Sequence, residues 1–169
     1  MKKRLHTHPY ALIIMVLSIT ACHSKVERGN APGAATEFTS GADLSYVNQV
    51  QDHGGRYYLA GRETDPFTIF PSAGFNTVRV RLWHNPMWTA ALNEGKMYGD
   101  LADVTRTISR AKSAGMKVNL DLHYSDDWAD PHKQATPDVW KGLSPIVLGD
   151  SVYRNTLWVL ETLHAKGLT

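Results

Sequence analysis

The chain has 169 residues, a net charge of +2 and a single cysteine, which excludes an internal disulfide. Residues 1–21 carry three of the 18 basic residues and no acidic one, so the rest of the chain has 15 basic residues against 16 acidic ones. No run of like charges remains there, and this argues against a nucleic-acid partner.

The first 21 residues have the layout of a lipoprotein-type signal peptide. A basic end at residues 2–4 precedes an apolar segment, Ala11–Ile19, that is too short for a membrane span of about 20 residues. The following I-T-A-C sequence, which ends at Cys22, resembles a bacterial lipobox, in which cleavage precedes the cysteine and its sulfur carries the lipid. We therefore predict that Cys22 anchors an exported protein to a membrane. The alternative is an ordinary signal peptide that contains a cysteine.

The segment after the predicted cleavage site is polar, rich in small residues and without periodicity. Residues 22–40 are therefore predicted to form a flexible tether between the anchor and a folded domain. His23 stands where an aspartate would indicate retention in the inner membrane, which favours the outer membrane or the cell surface.

Three segments of residues 41–169 are predicted to be β-strands: Gly41–Tyr46, Thr77–Trp83 and Lys117–Tyr124. Helical patterns lie between them, and the strands recur at intervals of about 40 residues. Each interval has the length of one strand followed by one helix.

The helices are delimited by residues typical of helix ends. Asp65 followed by Pro66 predicts a helix start, and Gly74 predicts its end, with Pro71 making this helix short or kinked. Two further helices are predicted. One has Leu101, Val104, Ile108 and Ala111 at helical spacing and ends at Gly115, and the other covers Val152–Lys166 with Leu157, Leu160 and Leu163 on one face.

Strands that alternate with helices, without hairpin signals, predict an α/β fold with a parallel sheet and right-handed crossovers. No G-x-G-x-x-G motif follows the first strand, which argues against a dinucleotide-binding sheet and favours a (β/α)₈ barrel. Residues 41–169 hold enough chain for only the first three βα units of such a barrel. We therefore predict a partial barrel.

The third predicted strand is the most informative part of the chain. Alternation places Asn119, Asp121 and His123 on one face, and an acidic loop that contains Trp128 follows directly. Carboxylates and an imidazole bind sugar hydroxyls, and an indole stacks on a sugar ring, so this pattern favours a carbohydrate site. The alternative is a solvated loop held by its own Asp side chains.

The second predicted strand carries Arg79 and Arg81 on one face, and acids on neighbouring strands would pair with them. Arg79 lies deeper and is interpreted as a structural ion pair, whereas Arg81 is assigned to the site. Trp83 and Asn85 are predicted to line a cleft. His84 points the other way and is interpreted as a structural hydrogen-bonding residue.

A metal-dependent hydrolase is the competing hypothesis for this region. His123, Asp126, Asp130 and His132 could together bind zinc or a harder ion. However, neither an H-E-x-x-H motif nor paired cysteines are present, and we predict no cofactor.

Three motifs resemble glycoside hydrolase family 53, the arabinogalactan endo-β-1,4-galactanases. They are G-A-D-L-S-Y-V at Gly41–Val47, V-R-V-R-L-W-H-N-P at Val78–Pro86, and L-D-L-H-Y-S-D-D-W-A-D-P at Leu120–Pro131 with Gln134. The resemblance implies a retaining glycosidase with a (β/α)₈ barrel that acts on galactan. A glycan-binding lipoprotein without hydrolytic activity is the alternative.

The resemblance also implies the sites of substrate contact. It places Asp43, Arg81, Asp121 and His123 at strand ends around the bound sugar, and Asp126, Asp127, Trp128 and Gln134 on the third loop beside further galactose units. Retaining hydrolysis needs two carboxyls about 5–5.5 Å apart, and the family carries them on the fourth and seventh strands. We therefore expect both glutamates after Thr169, no catalytic residue within the chain, and no activity from residues 1–169 alone.

Overall fold

The computed structural model describes residues 38–169. Their centre is a parallel sheet of three strands, β1 (Gly41–Asp43), β4 (Thr77–Trp83) and β5 (Lys117–His123), in the order β1-β4-β5. The predicted signal peptide, Cys22 and the tether as far as residue 37 lie outside the described residues.

Helices follow each of the three strands. They are α1 (Val47–Asp52), α2 (Pro66–Ser72), α3 (Met87–Leu92), α4 (Leu101–Ser113) and α5 (Pro145–Ala165), with a 3-10 helix at Asp138–Trp140. A two-stranded antiparallel hairpin, β2 (Tyr58–Leu59) and β3 (Arg62–Glu63), lies between α1 and α2. The predicted α/β fold with a parallel sheet is thus confirmed.

The sheet is shorter at its first strand than the alternation predicted. β1 ends at Asp43 rather than Tyr46, because Oγ of Ser45 accepts a 2.9 Å hydrogen bond from the backbone N–H of Arg81. A side chain thus replaces the backbone partner that a longer strand would have supplied. β4 has the predicted bounds, and β5 ends one residue early.

Helix starts follow the capping rules, including one start that the prediction missed. Asp65 caps α2 by accepting a 2.7 Å hydrogen bond from the backbone N–H of Phe67, and α2 is short, as the internal proline predicted. α5 begins at Pro145, seven residues before the predicted start at Val152, and Ser144 caps it. The Ser-Pro pair at its start repeats the Asp-Pro signal of α2.

The expectation that no hairpin occurs is wrong. The strands β2 and β3 are joined by Ala60 and Gly61, whose φ angles are +48° and +78°. Positive φ at both turn residues matches the right-handed twist of the flanking strands. The hairpin is only two residues per strand and stands apart from the parallel sheet, so the order of βα units is unaffected.

The hydrophobic core lies between the sheet and the helices. Val78, Val80 and Leu82 of β4 are buried in one cluster with Val104 and Ile108 of α4. Because side chains alternate along a strand, burying these three residues turns the arginines of β4 toward the opposite face.

The predicted apolar face of α5 is only partly correct. Leu163 is buried, but Leu157 and Leu160 are 40% and 44% exposed, and Val159 takes the second buried position. Residues three apart drift around a helix by about 60° at each step, whereas residues four apart stay closer to one line. Within residues 38–169, no helix combines the length and the apolar character needed to cross a bilayer.

A close backbone approach fixes the position of Trp83 at the end of β4. The backbone N–H of Trp83 donates a 2.9 Å hydrogen bond to the carbonyl of Gly99. A Cβ atom at Gly99 would lie 2.6 Å from Cε3 of the Trp83 ring, and the φ angle there is +72°. The indole therefore requires glycine at this position.

We predict that Gly99→Ala destabilises the protein more than Gly95→Ala does. Both positions have positive φ, +72° and +89°, but a Cβ at Gly95 meets no atom within 4 Å. The difference between the two free energies of unfolding should be about 1–3 kcal/mol, the cost of forcing an extra group into a filled space. Urea denaturation of both variants measures it, and equal losses would contradict this packing argument.

Candidate active site

The functional side chains converge because three parallel strands end at the same edge of the sheet. In the strand register Asp43 lies beside Arg79, Arg81 beside Asp121, and Trp83 beside His123. Polar residues predicted from three distant segments of the sequence thus lie on one face at the carboxyl ends of the strands. That edge is the usual position of active sites in parallel α/β proteins.

Ion pairs connect the three strands. Arg79 of β4 pairs with both Asp43 of β1, at 2.8 Å, and Asp121 of β5. Arg81 pairs with Asp43 at 2.6 Å. The prediction that acids of the neighbouring strands pair with these arginines is confirmed, and Arg79 is the residue that bridges the two acids.

Asp43 is held in its ionised form. Burial acts to raise its pKa, but hydrogen bonds from the hydroxyl and backbone N–H of Ser45, and the charges of Arg81 and Arg79, together keep the pKa below its ordinary value. An aspartate with a lowered pKa is a poor proton donor near neutral pH. Asp43 is thus suited to accepting hydrogen bonds and orienting the arginines.

Arg81 lies between two aromatic rings. Its guanidinium carbon is 5.8 Å from the ring centre of Tyr46 and 5.3 Å from that of Trp128. Cation–π attraction stabilises this arrangement. Trp128 is 40% exposed, so part of its indole remains open to a ligand beside the charged cluster.

Trp83 supports this arrangement from below. Its ring centre is 5.2 Å from His123, 6.0 Å from Trp128 and 6.1 Å from Trp88. Only 2% of Trp83 is exposed, so it forms the floor under Trp128, and its remaining surface borders a pocket together with Asn85.

His123 completes the polar face. Its Nε2 lies 3.0 Å from Oδ2 of Asp121, the atom that also meets Arg79. Its Nδ1 is buried and has no hydrogen-bond partner in the described part of the chain. Gln134 is exposed and borders one pocket with Asp121 and His123, and Asn85 borders a second pocket with Trp83 and His123.

The third loop divides its acids between two tasks. Asp127 is exposed and pairs with Lys133, which keeps the pKa of Asp127 below its ordinary value. The carboxylate of Asp130 instead accepts hydrogen bonds from the backbone N–H groups of His132 and Lys133, at 2.7 and 3.0 Å. Asp130 therefore holds the loop in the way that the alternative prediction, a loop held by its own Asp side chains, requires.

The residues of the competing metal site are not brought together. Asp126 is bound to His84 and to the backbone of Asp138, and His123 to Asp121. Among the described residues, no group of three or more His, Cys, Asp or Glu side chains is placed to hold a metal ion. The geometry therefore gives the metal-dependent alternative no support.

Two residues of the site were not singled out from the sequence. Ser45 bonds both Asp43 and the β4 backbone, and Tyr46 borders Arg81. They follow Asp43 by two and three residues. The available signal was the short polar step from β1 into α1, where a side chain often satisfies backbone groups.

Comparison with known proteins gives a consistent result. The sequence pattern of glycosyl hydrolase family 53 matches residues 39–169. The chain is 45% identical over 134 residues to an arabinogalactan endo-β-1,4-galactanase of Cellvibrio japonicus, a match that covers 79% of the chain and 34% of that protein. It is 36% identical over 137 residues to an endo-β-1,4-galactanase of Bacillus subtilis, covering 80% of the chain and 32% of that protein.

The fold agrees with a solved structure of the same family. The GH53 catalytic domain of Ignisphaera aggregans superposes with a TM-score of 0.70 at 35% identity, over 81% of the chain and 38% of that domain. The chain spans about a third of the length of the curated relatives it matches. Its three parallel strands correspond to part of the (β/α)₈ barrel of these relatives.

We predict that Asp43→Asn lowers the free energy of unfolding at pH 7. The free energy of unfolding of this variant should also change less as the pH falls. The folded-state pKa of Asp43 is lowered, so its contribution is fully present above its unfolded pKa of about 3.9 and is lost as the pH falls through the folded pKa. Solvent reaches the partly exposed pair, so the loss at pH 7 should be about 1 kcal/mol.

Urea denaturation between pH 7 and pH 2.5 measures both effects. Asp150→Asn is the control, because Asp150 forms an exposed pair with Arg154 on the surface of α5. Asp43→Asn and the unmodified protein should converge in stability as the pH falls. Curves that remain parallel down to pH 2.5 would contradict the lowered pKa.

Proposed function

The chain belongs to glycosyl hydrolase family 53, and we propose that it forms the galactan-binding part of an arabinogalactan endo-β-1,4-galactanase that cleaves its polymer with retention. The relatives named above support the choice of substrate. The observation that carries the proposal is the strand-end cluster, in which Arg79 joins Asp43 and Asp121 beside the half-exposed ring of Trp128.

The chemistry of this cluster suits a neutral sugar. A galactose unit offers hydroxyl groups around its rim and an apolar face of C–H groups. Asp121, His123 and Gln134 border one pocket and can exchange hydrogen bonds with hydroxyls, and Trp128 offers a partly exposed apolar ring beside Arg81. The arginines balance the charge of the acids, so the site has no strong preference for a charged ligand.

The acids of the described part are suited to binding rather than to proton transfer. Asp43 and Asp121 both pair with Arg79, and Asp126 and Asp127 are occupied by His84 and Lys133. Retaining hydrolysis needs one carboxyl that protonates and one that attacks, about 5–5.5 Å apart. The proposal therefore assigns glycan positioning to these residues and the reaction itself to carboxyls outside this set.

Because these acids are paired with basic side chains, glycan binding without hydrolysis is the second candidate function. Released reducing ends and binding of galactan oligosaccharides are both measured for the full-length protein, that is, residues 1–169 together with any segment encoded after Thr169, with β-1,4-xylan as the control polymer. Release of galactan oligosaccharides supports the hydrolase, and binding without products supports the second candidate. Failure to bind or cleave galactan would contradict both.

We predict that Trp128→Ala weakens the binding of galactan oligosaccharides. The exposed part of the indole would stack on a sugar ring, and its loss should cost roughly 1–3 kcal/mol of binding free energy. Tyr58→Ala is the control, since Tyr58 is an exposed aromatic residue of β2, in the hairpin that stands apart from the parallel sheet. Titration calorimetry measures both variants, and equal affinities would remove Trp128 from the proposed site.

We also propose that the protein is exported and held at the outer membrane or cell surface through a lipid on Cys22. The basic residues, the short apolar segment and the lipobox-like sequence before Cys22 support this proposal. More than one acyl chain is needed for stable anchoring, because a single chain binds a membrane only marginally.

We predict that Cys22→Ser releases the protein from membranes. The variant lacks the sulfur that would carry the lipid, so in cell fractionation the protein should move from the membrane pellet to the soluble fraction. Metabolic labelling with a fatty acid should mark the unmodified protein and not the variant. An unlabelled protein that stays in the pellet in both forms would instead indicate anchoring by the N-terminal apolar segment.

A further inference from the structure

The side chain of Asp126 is fully engaged within the protein. Its Oδ1 lies 3.0 Å from Nδ1 of His84, and its Oδ2 accepts a 2.8 Å hydrogen bond from the backbone N–H of Asp138. Only 21% of the side chain is exposed. Each of its oxygens is already bound by another protein segment, so the geometry suits Asp126 to joining protein segments rather than to contacting a ligand.

His84 reaches the same point from the neighbouring strand. It directly follows β4, and its backbone N–H donates a 3.1 Å hydrogen bond to the carbonyl of Ser125. Its ring centre lies 4.5 Å from that of Trp140, which is buried. The imidazole is thus held on one side by a carboxylate and on the other by an indole.

These contacts close the base of the third loop. Asp126 lies three residues after β5, residues 127–137 follow it, and the carboxylate of Asp126 accepts a hydrogen bond from the backbone N–H of Asp138 at the start of the 3-10 helix. The loop carries Trp128 and Gln134, which the proposed function assigns to the glycan. An unrestrained loop of this length would lose conformational entropy on binding, and that loss would reduce affinity.

We propose that His84, Asp126 and Trp140 form a clasp that orders residues 127–137 before the glycan binds. The clasp is defined by the His84–Asp126 and Asp126–Asp138 hydrogen bonds and by the His84–Trp140 ring contact. The role of this clasp in galactan binding rests on the proposed function. His84 and Asp126 are thereby positioning residues: they act on the ligand through Trp128 and Gln134.

The test compares two substitutions of His84. His84→Leu removes the hydrogen bond to Asp126, whereas His84→Asn keeps a side-chain N–H near the position of Nδ1. Because a lost hydrogen bond to a charged group costs about 1.5–3 kcal/mol, His84→Leu introduced into the full-length enzyme, which includes the catalytic carboxyls, should raise the KM for galactan by roughly ten-fold or more. The kcat should stay within about two-fold, since only binding common to substrate and transition state is lost.

Hydrogen exchange provides a readout that does not depend on substrate. Amide exchange of residues 127–137 should accelerate at least ten-fold in His84→Leu, and His84→Asn should restore most of the protection and most of the KM. His164→Leu, which removes an exposed histidine of α5, is the control and should change neither quantity. The melting temperature is measured for every variant.

Three results would overturn the clasp. They are unchanged exchange of residues 127–137 in His84→Leu, failure of His84→Asn to restore protection, and loss of kcat and melting temperature with KM unchanged. If the unmodified protein neither binds nor cleaves galactan, the proposed function fails. The exchange measurement still decides whether the clasp orders the loop.

Discussion

The structure depends on the ion pairs that join the carboxyl ends of three parallel strands. Arg79 of the middle strand pairs with Asp43 on one side and Asp121 on the other, so one guanidinium connects side chains of all three strands. Removing one partner from such a cluster leaves an uncompensated charge that solvent only partly screens. The acids and the arginines therefore require one another, and the parallel register is what places them side by side.

A layer of aromatic rings adds apolar surface to this charged cluster, and the proposed glycan site requires both. Trp83 is buried against the backbone at Gly99, and Trp128 and His123 lie over it. Arg81 is held between Tyr46 and Trp128. The result is a rigid polar and aromatic patch at the end of the sheet, where a ligand meets groups that are already oriented.

The loops beyond the strands differ in how they are fixed. The third loop has its base closed by Asp126 and its tip held by Asp130, while Asp127 remains exposed at its rim. These three neighbouring acids thus serve both as scaffold and as exposed surface. A carbohydrate site needs both, because a stacking ring contributes affinity only when the segment that carries it is already ordered.

Local patterns in the sequence predicted the three strands of the sheet and most of the residues that face the site. Alternation along β4 and β5, the Asp65-Pro66 cap and the glycines after α2 and α4 predicted the fold class, and polar residues on one strand face predicted the site. Local rules decide these features, since they depend on neighbouring residues in the chain. Only the tertiary structure decided that Arg79 bridges two acids, that Trp83 is a floor, and that Asp126 turns to His84 and Asp138. These outcomes depend on which distant groups reach the same point, and periodicity along one segment carries no information about that distance.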